Sequence, residues 1–227
     1  MKRTWLLAVA VGLALVALLT GKQFLDISLI SRTTGPLAVA CLLAWTYLAR
    51  SGGKMVDKGL LLAVLGLSAT ADVFMSWGTD LTFLVGMGLF VIVHVLLVVL
   101  FVRRGGLAYS LVMPAIGFGG IAITITGGFL WSHLDGAMLV AVPVYVAVLT
   151  TMVALAWSVW LRNYSARALC AALGALCFYV SDTLIALEKF SGLSLPLSDV
   201  WILISYWAAL ALIAFSLVPT RLSRKGR

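Results

Sequence analysis

Apolar runs long enough to cross a membrane recur along almost the whole chain, separated by only a few polar residues. A membrane helix needs about 20 mostly apolar residues. Eight segments meet that need: residues 4–20, 34–49, 59–76, 80–102, 107–130, 136–160, 165–187 and 198–218. The chain is 63% hydrophobic and 11% charged, whereas a soluble domain is about half apolar and a quarter charged. No polar stretch is long enough to fold alone. The expected fold class is therefore all-α, a polytopic membrane protein of eight transmembrane helices. Residues 1–227 form a single integral-membrane helical domain, in a plasma or inner membrane if the source is bacterial.

The basic residues set the orientation. With the N-terminus inside, 13 of the 16 Lys and Arg fall in inside segments. They are Lys2, Arg3, Arg50, Lys54, Lys58, Arg103, Arg104, Arg162, Arg167, Arg221, Arg224, Lys225 and Arg227. Only Lys22, Arg32 and Lys189 fall outside. This positive-inside bias supports an even number of spans with both termini cytoplasmic. It also explains the net charge of +8 without a nucleic-acid partner, since no basic groove with interleaved aromatics is present. Met1-Lys2-Arg3 resembles a signal-peptide start. No small-x-small cleavage site follows Leu19-Thr20-Gly21, so an uncleaved first helix is expected.

Local signals refine the helices. Pro36 suits the first turn of the second span, where a missing N–H costs nothing. The fifth span carries Gly117, Gly119, Gly120, Gly127 and Gly128. Close helix packing by small residues is the expected reason, with a loosened helix lining a cavity as the alternative. Trp5, Trp77, Trp131 and Trp201 near span ends fit interfacial anchors. Cys41, Cys170 and Cys177 lie in apolar segments and read as small packing residues. Neither a disulfide framework nor a metal site is expected from their spacing.

Two carboxylates interrupt the apolar pattern, Asp72 and Asp182. An Asp at the centre of a membrane helix costs about 3 kcal/mol on insertion scales, so it marks a functional candidate. Asp72 lies 14 residues beyond Lys58, about 21 Å at the helical rise. Asp182 lies 15 residues beyond Arg167, about 22 Å by the same measure. Equal depth suggests a shared site, although two structural carboxylates satisfied by Ser and Tyr neighbours would also fit. Ser68, Asp72 and Ser76 recur at every fourth residue and form a polar stripe. Gly174, Ala175, Phe178 and Asp182 share one face of the seventh span, whose small residues admit a neighbouring helix.

His94 is the third intramembrane titratable group, on a face with Gly86 and Phe90. It is either a hydrogen-bonded interior residue or a proton carrier beside a carboxylate. The other histidine, His133, falls in an outside loop. Two nearby carboxyls tend to share one proton, which places a general acid and a general base in one pocket. Such a pair suits chemistry through an oxocarbenium ion. A proton-coupled transporter is the rival from another class, but neither inverted repeats nor broken helices are evident. A zinc hydrolase would need more histidines. The Tyr-Asp and Gly-x-Gly-Asp contexts of intramembrane aspartyl proteases are absent.

The ordered motifs Pro36-Leu37, Ala71-Asp72, Gly86/Phe90/His94, Tyr145/Met152, Gly174 through Asp182 with Ala186-Leu187 and Phe190, and Tyr206 resemble the lysoplasmalogenase family. That family is also called the YhhN-like or transmembrane protein 86 family. The resemblance spans nearly the whole chain. It implies an eight-helix membrane hydrolase that cleaves the vinyl ether of lysoplasmalogens to a fatty aldehyde and a glycerophosphoethanolamine or glycerophosphocholine. Asp72 and Asp182 would donate the proton and activate water. His94, Tyr145, Ser181, Tyr206 and Ser68 would bind substrate or support the acids. No cofactor or metal is implied, and the partners are a lysophospholipid substrate and membrane lipid. Gly35 and Ala71 stand where the family pattern has Lys and Gly. Leu97 stands where it has Tyr, and Ala208-Ala209 where it has Gln. A member with diverged catalysis is the corresponding alternative.

Overall fold

The computed structural model describes residues 5–19, 28–48, 55–193 and 196–217. Among them the backbone is helical throughout, joined by short turns. The α-helices are α1 (Trp5–Leu19), α2 (Ser28–Leu48), α3 (Met55–Ser76), α4 (Asp80–Arg103), α5 (Val112–Ile125), α6 (Met138–Asn163), α7 (Ala166–Ser191) and α8 (Ser198–Leu217). A 3-10 turn precedes α5, while a π turn (Thr126–Leu130) and a 3-10 turn (Trp131–His133) extend it. Among the described residues, six helical stretches are long and apolar enough to cross a membrane: Met55–Ser76, Asp80–Arg103, Tyr109–His133, Met138–Asn163, Ala166–Ser191 and Ser198–Leu217. In α2 the apolar part is the shorter Gly35–Leu48. The chain is an integral, multi-pass membrane protein.

Helix starts and stops follow local chemistry. Thr79 and Thr82 cap α4 reciprocally: the Thr79 hydroxyl accepts from the Thr82 N–H at 3.2 Å, and the Thr82 hydroxyl accepts from the Thr79 N–H at 3.1 Å. This satisfies donors that the first turn leaves orphaned. Ser165 caps α7 by accepting from the Ala168 N–H at 3.2 Å. Gly192, at φ +67, ends α7 in the left-handed conformation that glycine adopts without a Cβ penalty.

Two expectations are corrected. Pro36 lies inside α2, two turns from its start at Ser28, not in a first turn. Proline is tolerated inside membrane helices because local adjustments and neighbouring groups re-satisfy the freed carbonyl. The glycines of α5 and its extension do not mediate close packing. A Cβ built at Gly117, Gly119, Gly120, Gly127 or Gly128 meets nothing within 4 Å among the described residues. Their helix offers an open face instead. The π turn swings Leu130 inward, where it is buried.

The chain divides into two compact units, Met1–Leu97 with Leu210–Arg227, and Val98–Ala209. In the first unit α1 packs on α2 and α2 on α3. Lys58 donates to the Tyr47 carbonyl at 2.8 Å, and Trp45 meets Phe215 with ring centroids 5.2 Å apart. At Gly86 of α4 a Cβ would lie 3.3 Å from the Ala71 carbonyl and 2.7 Å from the Met75 side chain. Glycine there lets α4 approach α3 beside Asp72.

In the second unit α5 packs on α6 and α6 on α7. Ser110 and Ser158 share a hydrogen bond at 2.8 Å, and Arg162 donates to the Gly105 carbonyl at 3.4 Å. These bonds strap the turn before α5 to the end of α6. Leu130, Leu134 and Val142 form a buried cluster against Ala186, Leu187 and Phe190 of α7. Trp77, Trp131 and Trp201 are each more than half exposed near helix ends, as interfacial anchors should be. The Trp5 side chain, the Arg32 side chain, and Lys2, Arg3, Lys22, Arg50, Lys54, Arg221, Arg224, Lys225 and Arg227 lie outside the described residues. So does the segment 20–27, where a cleavage site would fall.

Candidate active site

Asp182 is the best-defined polar centre of the second unit. It sits on α7 nine residues before the helix ends at Ser191, and it is buried. Gly174, Ala175, Phe178 and Asp182, the face expected to pack inward, are all buried. Small residues such as Gly174 and Ala175 at its base suit close approach by a neighbouring helix. From α6 the Tyr145 hydroxyl donates to Asp182 Oδ2 at 2.7 Å. A hydrogen bond to a carboxylate is short and strong, about twice a neutral pair. It fixes which way the Asp182 carboxyl faces. Pro143, two residues earlier, removes one backbone N–H from α6 at this level.

The same face of the bundle is fixed from α8. The Ser181 hydroxyl donates to the Ile202 carbonyl at 3.1 Å, so Ser181 acts as a helix tie. Tyr206 is buried and meets Phe178 edge-on, with ring centroids 5.6 Å apart. Tyr179 donates to the Phe118 carbonyl at 3.4 Å. Beyond Asp182 along α7, the cluster of Leu130, Leu134 and Val142 packs over Ala186. The carboxyl is therefore flanked by apolar residues, which would exclude bulk water and strengthen electrostatic contacts within.

Asp72, Ser68 and His94 belong to the first unit. On α3 the buried residues Leu61, Val64, Leu65, Ser68 and Ala71 recur at helical spacing. Ser68 lies on that stripe, while Asp72 lies at its margin and is half-buried. Ser76 completes the polar row, its hydroxyl turned back to the Val73 carbonyl at 2.7 Å. His94 is fully buried on α4 and lies beside Phe90, with ring centroids 6.5 Å apart. Ser68 Oγ is buried with no hydrogen-bond partner among the described residues, so a polar group is expected to meet it when the site is filled.

The structure thus brings Tyr145 to Asp182 directly, and Ser181 and Tyr206 to the same stretch of α7. Sequence alone does not single out Ile202 or Phe118, whose contributions are backbone carbonyls that every residue carries. His133 is exposed, its ring nitrogen near the Phe129 carbonyl at 3.1 Å.

The YhhN family model matches residues 30–217. Two similar curated proteins are both named Lysoplasmalogenase TMEM86A. That of Bos taurus is 36% identical over 168 residues, covering 69% of this chain and 64% of the relative. That of Homo sapiens is 32% identical over 201 residues, covering 82% and 77%. The chain therefore spans just under two thirds of the bovine relative's length. No solved structure matches. With most of its length, Asp72 and Asp182 included, inside the matched region, the chain belongs to the YhhN family.

Proposed function

We propose that this chain is an intramembrane hydrolase that cleaves the vinyl ether bond of lysoplasmalogens by acid–base catalysis with Asp72 and Asp182. The observation that carries the reading is a buried membrane carboxyl, Asp182, aimed by a tyrosine hydroxyl at 2.7 Å, in a chain whose relatives are named lysoplasmalogenases. A buried carboxyl with a dedicated donor is costly to keep in a membrane helix, and this chemistry gives a reason for it.

In this mechanism one aspartic acid delivers its proton to the vinyl carbon remote from oxygen. The pair of electrons of the double bond forms the new C–H bond, and the adjacent carbon becomes an oxocarbenium ion. The other aspartate stabilises that charge and takes a proton from water as the water oxygen attacks. The hemiacetal then collapses. Its C–O bond to glycerol breaks, its hydroxyl proton passes to the leaving oxygen, and the aldehyde departs. One water is consumed, and no cofactor or metal is needed. Tyr145 orients Asp182, while Ser181 and Tyr206 hold α7 and α8 around it. His94 and Ser68 serve the Asp72 side. The substrate would be a lysophospholipid drawn from the surrounding membrane.

The same reading treats residues 1–227 as one membrane domain. In it α1 and α2 add to the six long helices to make eight spans, with both termini cytoplasmic, as the distribution of Lys and Arg supports.

The test is aldehyde release by purified protein from a 1-alkenyl lysophospholipid, with the 1-acyl lysophospholipid as control. Aldehyde from the alkenyl lipid alone is the expected result. Free fatty acid from the acyl lipid at a similar rate would point to ester chemistry and overturn the proposal.

A further inference from the structure

Threonines on the outer faces of these helices turn back on their own backbone. Thr70, Thr124 and Thr151 are exposed, and each hydroxyl donates to the carbonyl four residues earlier, at 2.9, 2.9 and 2.7 Å. Thr126, two residues after Thr124, departs from this pattern. Its hydroxyl oxygen is buried and meets no hydrogen-bond partner among the described residues. Thr126 also opens the π turn, where the Trp131 N–H donates back to the Thr126 carbonyl. Single π turns inside helices occur frequently at functional sites. Ala122 and Leu130, four residues to either side of Thr126, are both buried, so Thr126 lies on the inward face of its helix.

Packing brings this hydroxyl level with Asp182. The π turn packs directly against α7. Phe118 meets Tyr179, and Leu130 clusters with Ala186, so α5 and α7 run in the same direction. Ser110 meets Ser158, and Leu130 clusters with Val142, so α6 runs against them. One turn back from the layer of Leu130, Val142 and Ala186, the three helices therefore present Thr126, Tyr145 and Asp182. The 2.7 Å bond from Tyr145 to Asp182 already joins two of these side chains. Ile125 and Val146, next in sequence to Thr126 and Tyr145, pack against the same cluster.

We infer that the Thr126 hydroxyl holds an O–H ligand beside Asp182, supplied by the attacking water or by the free glycerol hydroxyl of the lysolipid. The inference rests on the hydrolase reading above and adds the group that binds this second oxygen. A threonine hydroxyl both donates and accepts, as water and an alcohol do. Four bonds separate the glycerol hydroxyl oxygen from the vinyl ether carbon. Either oxygen thus falls within one helical turn, about 5.4 Å, of the carbon that Asp182 serves. A buried hydroxyl left without a partner is costly, and such a ligand meets that cost. The apolar cluster beyond Asp182 keeps bulk water out, so a water used there needs a polar group to hold it.

The experiment compares a 1-alkenyl lysophospholipid with its 2-deoxy counterpart, which lacks the glycerol hydroxyl, in protein reconstituted into nanodiscs. Thr126→Val and Thr126→Ala both remove the hydroxyl, and Thr126→Ser keeps it. The first two are expected to lower kcat/KM for the lysophospholipid about tenfold, with Thr126→Ser within about twofold of wild type. Thermal unfolding checks that each variant is folded. An equal loss on the 2-deoxy lipid assigns the ligand as water. No further loss on a 2-deoxy lipid that wild type already turns over about tenfold more slowly assigns it as the glycerol hydroxyl. Wild-type turnover of the lysophospholipid in Thr126→Val, or a loss in Thr126→Ser as large as in Thr126→Val, overturns the inference. If wild-type protein releases aldehyde from neither lipid, the hydrolase reading fails by itself. Binding of a non-cleavable 1-alkyl lysophospholipid then decides the subsite. Binding weakened about tenfold in Thr126→Val and retained in Thr126→Ser supports it, and unchanged binding in Thr126→Val overturns it.

Discussion

The two helices that carry the intramembrane aspartates solve the burial of a carboxyl differently. On α7, Asp182 lies in the middle of the buried face, with Tyr145 donating at 2.7 Å and Ser181 tying the helix to α8. On α3, Asp72 lies at the margin of the buried stripe, half-exposed, with Ser68 buried one turn away. The first carboxyl is locked in direction. The second keeps a more open side. Acid–base catalysis uses both properties, because one group must be aimed at a fixed atom and another must meet a water or a mobile substrate. The contrast teaches that two carboxylates in long apolar helices differ in burial according to the helix face each one falls on.

The sharpest way to break this comparison is to neutralise each carboxyl in turn. Asp182→Asn and Asp72→Asn should each lower kcat by about 10²–10⁴-fold, the usual worth of a positioned acid or base. Both proteins should retain wild-type elution and thermal unfolding in detergent. A large loss in one variant and none in the other would reduce the pair to a single catalytic carboxylate. A second, smaller effect tests the lock itself. Tyr145→Phe keeps the ring and removes the donor, and should cost roughly tenfold in kcat, about 1.4 kcal/mol. Steady-state kinetics checks it, and an unchanged kcat would make Tyr145 a packing residue.

Packing substitutions are expected to give smaller shifts. Gly86→Ala pushes against the Met75 side chain and the Ala71 carbonyl. Because Met75 is flexible, the cost should stay below about 1 kcal/mol, read as a lowered thermal midpoint. Gly127→Ala, on the open face after α5, should leave that midpoint unchanged or raised, since Ala is the better helix former by about 0.8–1 kcal/mol. Ser181→Ala removes the tie to Ile202. Membrane hydrogen bonds average about 0.6 kcal/mol, so stability should fall by that order while kcat holds.

Much of the fold is legible in the chain because hydropathy reports directly on helix length in a membrane. The segment from Asp80 shows this, since its helix ends within a residue of the expected boundary. Helix faces are harder to read. When nearly every residue is apolar, periodicity carries little contrast, and lipid-facing and protein-facing sides look alike. The glycines after Val112 illustrate the failure: their composition fits close packing, yet they face open space. The start of α2 at Ser28 is obscured in the sequence by Ser31-Arg32-Thr33-Thr34, polar residues that a helix accommodates near its end. In the candidate site, Asp182 and its buried face could be read from the spacing of small residues. The pairing of Tyr145 with Asp182 could not, because it depends on the register between α6 and α7. Ile202 and Phe118 contribute only carbonyls and leave no sequence signal at all.

The most direct measurement of the central claim is single-turnover aldehyde release from a 1-alkenyl lysophospholipid by wild-type protein, Asp72→Asn and Asp182→Asn, each verified as folded. The account predicts stoichiometric aldehyde from the wild type and a loss of about 10²-fold or more in both variants. Wild-type rates in either variant would contradict it.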